Sequence, residues 1–472
     1  MSPTASHSHP SDDDVFAGPQ ALRRAPKTHF PAHAQPPREV YQLIHDELLL
    51  DGVARMNLAT FCTTWVEPEV QQLMTETLDK NIVDKDEYPQ TAELEARCVR
   101  MFADLLHAPD PKTTLGTSTT GSSEAAMLGG LAAKWRWRVK RQAAGLDTTR
   151  PNLVCGPVQV CWEKFCRYFD VEIREVPMGP GHVMTPEDAI AACDENTIVV
   201  VATMGQTFTG KYEDVEGISA ALDAFQEKTG LDIPLHVDAA SGGFVAPFCA
   251  PELDWDFRLP RVKSINASGH KTGLAPLGSG WAIWREASDL PDELIFNVNY
   301  LGGHMPTFNL NFSRPGGQVV ASYYNFLRLG REGYTAVQSA TYTVAAYLAE
   351  HLGKMGEFDL LFDGDPHLGI PAVTWKLKND DGPYTVFDLA EELRGRGWLV
   401  PAYTLPPTQD AVAVQRIIVR HGLSLDMADL LLADFRRAIE ALKNGPRGRR
   451  LEAGDAPSFS HDATPALAVV AP

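Results

Sequence analysis

The sequence predicts an α/β fold: a mainly parallel sheet with helices on both faces, followed by a smaller α+β domain. Three observations carry this. Between residues 115 and 284 short apolar runs alternate with segments of helical spacing, the order that βαβ units produce. One run, NTIVVVAT at 196–203, is continuous and β-branched, as a strand covered on both faces requires. After residue 330 the rhythm changes to a long helical segment followed by shorter mixed elements.

The elements follow in order. Residues 1–36 are rich in Ser, Asp, His and Pro, a composition that stays loosely ordered or is ordered only by a partner. REVYQLIHDELLL (38–50) has helical periodicity and completes an N-terminal segment, 1–57. A large domain, 58–330, then opens. LGTSTTGSSEAAMLGGLAAKWRWRVKRQAA (115–144) reads as a glycine-bearing turn leading into a long helix. PNLVCGP and VEIREVP are strands, with helical VCWEKFCRYF between them. ISAALDAFQEKTG is a helix with a glycine C-cap. LDIPLHVDAA is a strand ending at Asp238, and VKSINAS and SGWAIW are further strands. A small C-terminal domain, 331–445, takes GIPAVTWKLK, YTVFDLAEELRGRG, AVQRIIVR and MADLLLADFRRAIEALKNG. Residues 446–472 form a tail.

Composition excludes several classes. Of 472 residues, 44% are apolar and 22% charged, which suits a globular protein with ample core. No apolar run is long enough to span a bilayer, and the N-terminus lacks the basic-then-apolar order of a signal peptide. The expected compartment is the cytoplasm. A net charge of -19 repels nucleic acid and anionic membrane, and the basic PRGRR at 446–450 reads as a solvated tail. Seven scattered cysteines suggest reduced thiols. No Cys-x-x-Cys pair occurs, and no metal site is expected.

Chemistry shows in SINASGHKTGLAPLGSGW (264–281), where Lys271 stands among small residues. An amine attacks a carbonyl only when unprotonated, and a pocket that strips it of water lowers its pKa. A lysine Schiff base suits such a setting. Taken alone, the stretch fits a surface lysine in a glycine-rich loop better. Asp238 shifts the balance. It ends an apolar strand at the edge where open α/β folds place ligands. It either caps the following SGG turn or pairs with a protonated pyridine nitrogen. His236, two residues earlier, shares its face by period two; it either orients Asp238 or is a satisfied core histidine. In STTGSSEAAM, Gly121, Ser122 and Ser123 open a helix, offering an anion cradle or simple N-capping. Together these three elements match the needs of pyridoxal phosphate: a lysine for the aldehyde, an anion for the ring nitrogen and a seat for the phosphate.

TSTTGSSEA, CGPVQVCWEKF, HVDAASGGF and INASGHK together resemble the pyridoxal-phosphate-dependent group II decarboxylases, in particular their bacterial glutamate-specific branch. NLATFCTTW, DKDEYPQTAELEARCV, NYLGGH, NFSRPGGQV and FLRLGREGY extend the resemblance over residues 38–445. It implies fold type I with a seven-stranded sheet, and homo-oligomers with a dimer as minimal unit and a hexamer expected. It implies decarboxylation of L-glutamate to 4-aminobutanoate through an aldimine and a quinonoid, favoured at acid pH because each turnover consumes a proton. The alternative is decarboxylation of another amino acid.

Carried over residue by residue, the resemblance implies Lys271 as the aldehyde-binding lysine with His270 beside it. Asp238 pairs with the ring nitrogen, Ala240 packs near the ring and Gln159 covers its other side. Ser122, Ser123 and Ser268 bind the phosphate, helped by Phe312 and Ser313 of a neighbouring subunit. Thr207 lies near the phenolic oxygen or substrate carboxylate. Thr60, Phe61, Asn81 and Asp84 hold the distal carboxylate, and Arg416 sits near the α-carboxylate. His461, in SFSH, resembles a histidine that caps the site at neutral pH, although this tail runs on past it. Acid-resistance relatives use an N-terminal helix for bundling and membrane association; the proline-rich start here supports no stable membrane insertion.

Overall fold

The computed structural model describes residues 24–299, 305–379, 381–444 and 450–453. It divides into two compact units, 1–56 and 57–472. The first carries helix α1 (Pro37–Leu48), which begins with a proline in its first turn, where the missing N–H costs nothing. Tyr41, Ile44 and Leu48 of α1 are exposed.

The second unit holds the expected seven-stranded sheet: β1 (Gly116–Thr119), β2 (Asn152–Cys155), β3 (Glu172–Glu175), β4 (Thr197–Thr203), β5 (Leu235–Asp238), β6 (Val262–Ala267) and β7 (Gly280–Trp284). Their spatial order is β1-β7-β6-β5-β4-β2-β3. Strands β2 to β6 pair in parallel, and β7 runs antiparallel to both β1 and β6. The carboxyl ends of β1, β2, β4, β5 and β6 therefore lie on one edge.

Helices α2 (Pro68–Glu76), α3 (Pro89–Leu105), α4 (Ser122–Ala143), α5 (Val160–Tyr168), α6 (Pro186–Ala191), α7 (Val215–Thr229) and α8 (Ala246–Cys249) accompany the sheet. Local chemistry fixes their ends. The Asp214 side chain accepts the Gly217 amide at the start of α7, and Gly230, with φ 77°, closes it.

Strands β8 (Phe296–Val298) and β9 (Met305–Thr307) form a small antiparallel pair. Helix α9 (Gly317–Lys354) follows, broken at Gly330 by a backbone of φ 56° and ψ -167°. The sequence reading divides large from small domain at this residue. The smaller sheet comprises β10 (Phe358–Phe362), β11 (Ala372–Leu377), β12 (Ala402–Thr404) and β13 (Ala413–Ile418), in order β10-β11-β13-β12. Helices α10 (Val386–Arg394) and α11 (Leu425–Asn444) complete it.

Segment 57–63 connects the two sheets. Leu58 bonds to the backbone of Leu399 and Ile418, and the Thr63 amide donates to the His270 carbonyl at 2.8 Å. No described helix is long and apolar enough to cross a membrane. All seven cysteines are free, and no metal-binding cluster occurs among the described residues.

Helix α4 packs closely on the sheet because its facing side is small. A Cβ at Gly129 would overlap the His236 ring, and that ring is held by two 2.7 Å hydrogen bonds. Alanine would add about 1 kcal/mol of helix propensity, but the clash outweighs it. Gly129→Ala is expected to destabilise the protein by about 1–3 kcal/mol net, read from the urea midpoint; an unchanged midpoint would show that the ring yields.

Candidate active site

The sheet edge assembles the groups that the sequence singles out. Strand β6 ends at Ala267, and the chain turns through Ser268 and Gly269 into His270 and Lys271. Gly269 packs so tightly on Ser279 that no side chain fits there. The Lys271 side chain is half-buried; its Nζ donates to Ser241 Oγ at 3.2 Å and lies 5.0 Å from the centre of the Phe61 ring. Burial pulls this amine below the usual lysine value, with Arg416 acting in the same sense and the Asp238 carboxylate opposing.

Asp238, at the end of β5, is buried. Its Oδ2 accepts the Trp162 indole N–H at 2.8 Å, and its Oδ1 accepts the Asn266 amide at 2.9 Å and the Ala240 N–H at 3.1 Å. All three partners are donors. His236 acts on this carboxylate through Asn266 rather than directly. Its Nε2 meets Asn266 Oδ1 and its Nδ1 meets Ser264 Oγ. Because Asn266 gives its NH2 to Asp238, its oxygen must accept, which assigns the Nε2–H tautomer. Burial lowers the His236 pKa; Asn266 and Asp238 oppose.

At the end of β1 the chain passes Gly121, whose φ of 129° suits only glycine, into α4. No side chain caps this helix, so Ser122 and Ser123 do not follow the simple N-cap reading. Glu124, in the first turn, directs its carboxylate to Thr120 and to the Leu310 and Asn311 amides. Opposite Gly121 stands the His270 ring. His270 Nδ1 and Ser268 Oγ are both buried without a hydrogen-bond partner. Burial, then the Lys271 charge, lowers the His270 pKa. An uncapped helix N-terminus beside orphaned polar atoms fits an anionic group, and the whole edge fits pyridoxal phosphate.

Two further groups gather near the edge. In the first, Arg416 on β13 is buried, with its guanidinium 4.5 Å from the Phe61 ring centre and 5.5 Å from that of Tyr403. Its Nη2 donates to the Ala59 carbonyl at 3.2 Å, and its Nε has no partner. Burial lowers its pKa, and no ion pair reaches it among the described residues. Lys271 and Arg416 thus both approach the Phe61 ring. Thr60 Oγ1 accepts the Cys62 amide at 3.3 Å.

In the second group, Asn81 donates to Ser313 Oγ at 3.2 Å and accepts the Arg314 amide at 3.1 Å. Asp84 caps its own turn through the Glu87 amide, and Phe312 and Ser313 are exposed. Thr207 is half-buried on the turn closed by the Met204–Tyr212 bridge. Gln159 is exposed and caps α5, its Oε1 accepting the Cys161 amide at 2.7 Å. His461 lies outside the described residues.

Sequence reasoning missed Trp162, Asn266, Ser241 and Tyr403. A polar Asn inside the apolar run VKSINAS was the available signal for Asn266. The indole N–H of Trp162 on an otherwise apolar helix face was a weaker one.

Comparison with known proteins agrees with this geometry. Residues 31–378 match the family described as the pyridoxal-dependent decarboxylase conserved domain. A glutamate decarboxylase of Aliivibrio fischeri is 58% identical over 451 residues, covering 95% of this chain and 97% of the relative. One of Solanum lycopersicum is 49% identical, covering 92% and 86%. The solved glutamate decarboxylase of Lactobacillus brevis superposes with a TM-score of 0.87 at 45% identity, covering 91% of this chain and 98% of that one. A sphingosine-1-phosphate lyase of Burkholderia pseudomallei, with TM-score 0.75 and 22% identity, shares the fold.

A buried cation without an anion is a liability in the unliganded protein. Arg416→Met keeps the length and removes the charge. Its melting temperature without ligand is expected to equal or exceed that of the parent; a loss of more than about 1 kcal/mol would show that Arg416 is structural.

Proposed function

The chain belongs to the pyridoxal-dependent decarboxylases, and from that membership we propose that it removes the α-carboxylate of L-glutamate, giving 4-aminobutanoate and carbon dioxide. One observation carries the substrate class. Arg416 is a buried guanidinium with no ion pair among the described residues, and it approaches the same Phe61 ring as the Lys271 amine. An amino acid brings the missing carboxylate.

Bound at this edge, pyridoxal phosphate supplies an aldehyde that takes up amines and a ring that accepts the electron pair left as carbon dioxide departs. The chain's residues do the rest. Lys271 offers an amine that burial frees of its proton more readily than at a surface. Asp238, aligned by Trp162 and Asn266, offers its carboxylate to the ring N–H. The first amides of α4, with Gly121, Ser122, Ser123 and Ser268, receive the phosphate. Ala240, Gln159 and Thr207 line the ring. Arg416 holds the α-carboxylate, and Thr60, Phe61, Asn81 and Asp84 hold the distal one. Lys271 Nζ or His270 returns a proton to Cα. That proton comes ultimately from solvent, so acid conditions favour turnover.

The reading extends to assembly. Asn81 is bonded to Ser313, the residue expected to serve a neighbouring subunit, so both are delivered together across a dimer interface. Exposed Tyr41, Ile44 and Leu48 on α1 are surface that further copies would cover. Seven free cysteines suit a reducing cytoplasm.

Holoenzyme offered the protein amino acids singly is expected to release carbon dioxide fastest from L-glutamate. It should form one 4-aminobutanoate and consume one proton for each. Faster release from an aromatic or apolar amino acid rejects the substrate. Shared sites predict complementation: Lys271→Ala and Asn81→Ala homomers are each nearly inactive, yet a refolded equimolar mixture recovers about a quarter of parental activity. No recovery would place Asn81 outside the neighbour's site.

A further inference from the structure

Glu213 has no part in the chemistry above, yet it is buried at the same sheet edge, only 3% exposed. It stands immediately before Asp214, the cap of α7. Its Oε2 accepts the Thr203 amide at 2.7 Å and its Oε1 the Met184 amide at 3.4 Å. Its own amide donates to the Thr203 carbonyl at 3.0 Å. Gly156, which follows β2, packs so closely on Oε1 that a side chain there would overlap it. One carboxylate thus ties the end of β4 to the end of β2 and to the segment leading into α6.

Thr203 lies in register with Asp238, and the Met204 amide donates to the Asp238 carbonyl at 2.9 Å. Thr203 Oγ1 is itself buried without a partner. Glu213 therefore fixes the strand directly beside the carboxylate reserved for the ring nitrogen.

The charges around Glu213 are few. Asp238 reaches it from β5 and the Cys155 thiol faces it from β2, while β4 and the 184 segment contribute only amides. Among the described residues it has no ion pair. Burial pushes Glu213 up to about 7; the two amides oppose this and Asp238 adds to it.

We propose that Glu213 is a positioning residue for the ring site and that its ionisation is coupled to the pairing of Asp238 with the ring nitrogen, making cofactor retention proton-linked. This rests on pyridoxal phosphate binding at Lys271. Asp238 repels the Glu213 charge most when unpaired. Once Asp238 is paired with a protonated nitrogen, Glu213 ionises more easily, so its pKa falls. By linkage the cofactor is held more tightly by ionised Glu213. Affinity then weakens as pH falls through about 7, by about tenfold for each unit that pairing lowers the Glu213 pKa.

The test is titration of apoenzyme with pyridoxal phosphate from about pH 8 to about pH 6, for the parent and Glu213→Gln. Glutamine retains an oxygen for the Thr203 amide and carries no charge. The parent's log Kd is expected to rise more steeply toward acid than the variant's; parallel slopes overturn the proposal. Should the variant not fold, infrared difference spectra of the parent near neutral pH decide. A protonated-carboxyl band that shrinks on cofactor addition supports the coupling, and an unchanged band rejects it. Absence of an imine at Lys271 in the parent would instead defeat the cofactor reading itself.

Discussion

Lys271 and Arg416 bring two basic side chains to one aromatic ring, and among the described residues no carboxylate is bonded to either. The Lys271 amine and the Arg416 guanidinium lie 5.0 and 4.5 Å from the centre of the Phe61 ring. Taking charge out of water without pairing it is costly. The fold tolerates the arrangement because desolvation favours the neutral amine at Lys271 and because ring faces support the guanidinium at Arg416. What makes the resting protein less comfortable makes it receptive to an amino acid and an aldehyde.

The sheet makes that arrangement possible. Parallel strands bring Asp238, Ser268 and the start of α4 to one edge although they are far apart in sequence. Asp238 is then aligned by donors from an adjacent strand and from a helix: Asn266 on β6 and Trp162 on α5. His236 and Ser264 fix Asn266 in turn. Glu213 extends the same logic to β4 through the Thr203 amide. The smaller sheet supplies Arg416, and segment 57–63 bridges to it while delivering Thr60 and Phe61.

Much of this was legible in the sequence. NTIVVVAT announces itself because burial on both faces demands an unbroken apolar run, and it and the strand ending at Asp238 both form as expected. Lys271 and Asp238 stood out because each is a charge in a setting that should exclude it. Gly121 and two serines were readable as a helix start open to an anion or to ordinary capping, and the structure shows no side-chain cap there. Less legible was everything decided by register between distant strands. That Asn266 faces Asp238, and that His236 acts through it, depends on which residue of β6 lies beside which residue of β5. Trp162 and Tyr403 were hidden for a related reason: an aromatic on an amphipathic element looks like core until its polar tip finds a partner.

The account turns on the Lys271 amine, its pKa lowered by burial, meeting an aldehyde aligned by Asp238. Borohydride reduction of holoenzyme, followed by digestion and mass spectrometry, reads this directly. The account predicts a single pyridoxyl-phosphate adduct, on the peptide containing Lys271. An adduct on a different lysine, or none at all, would contradict it.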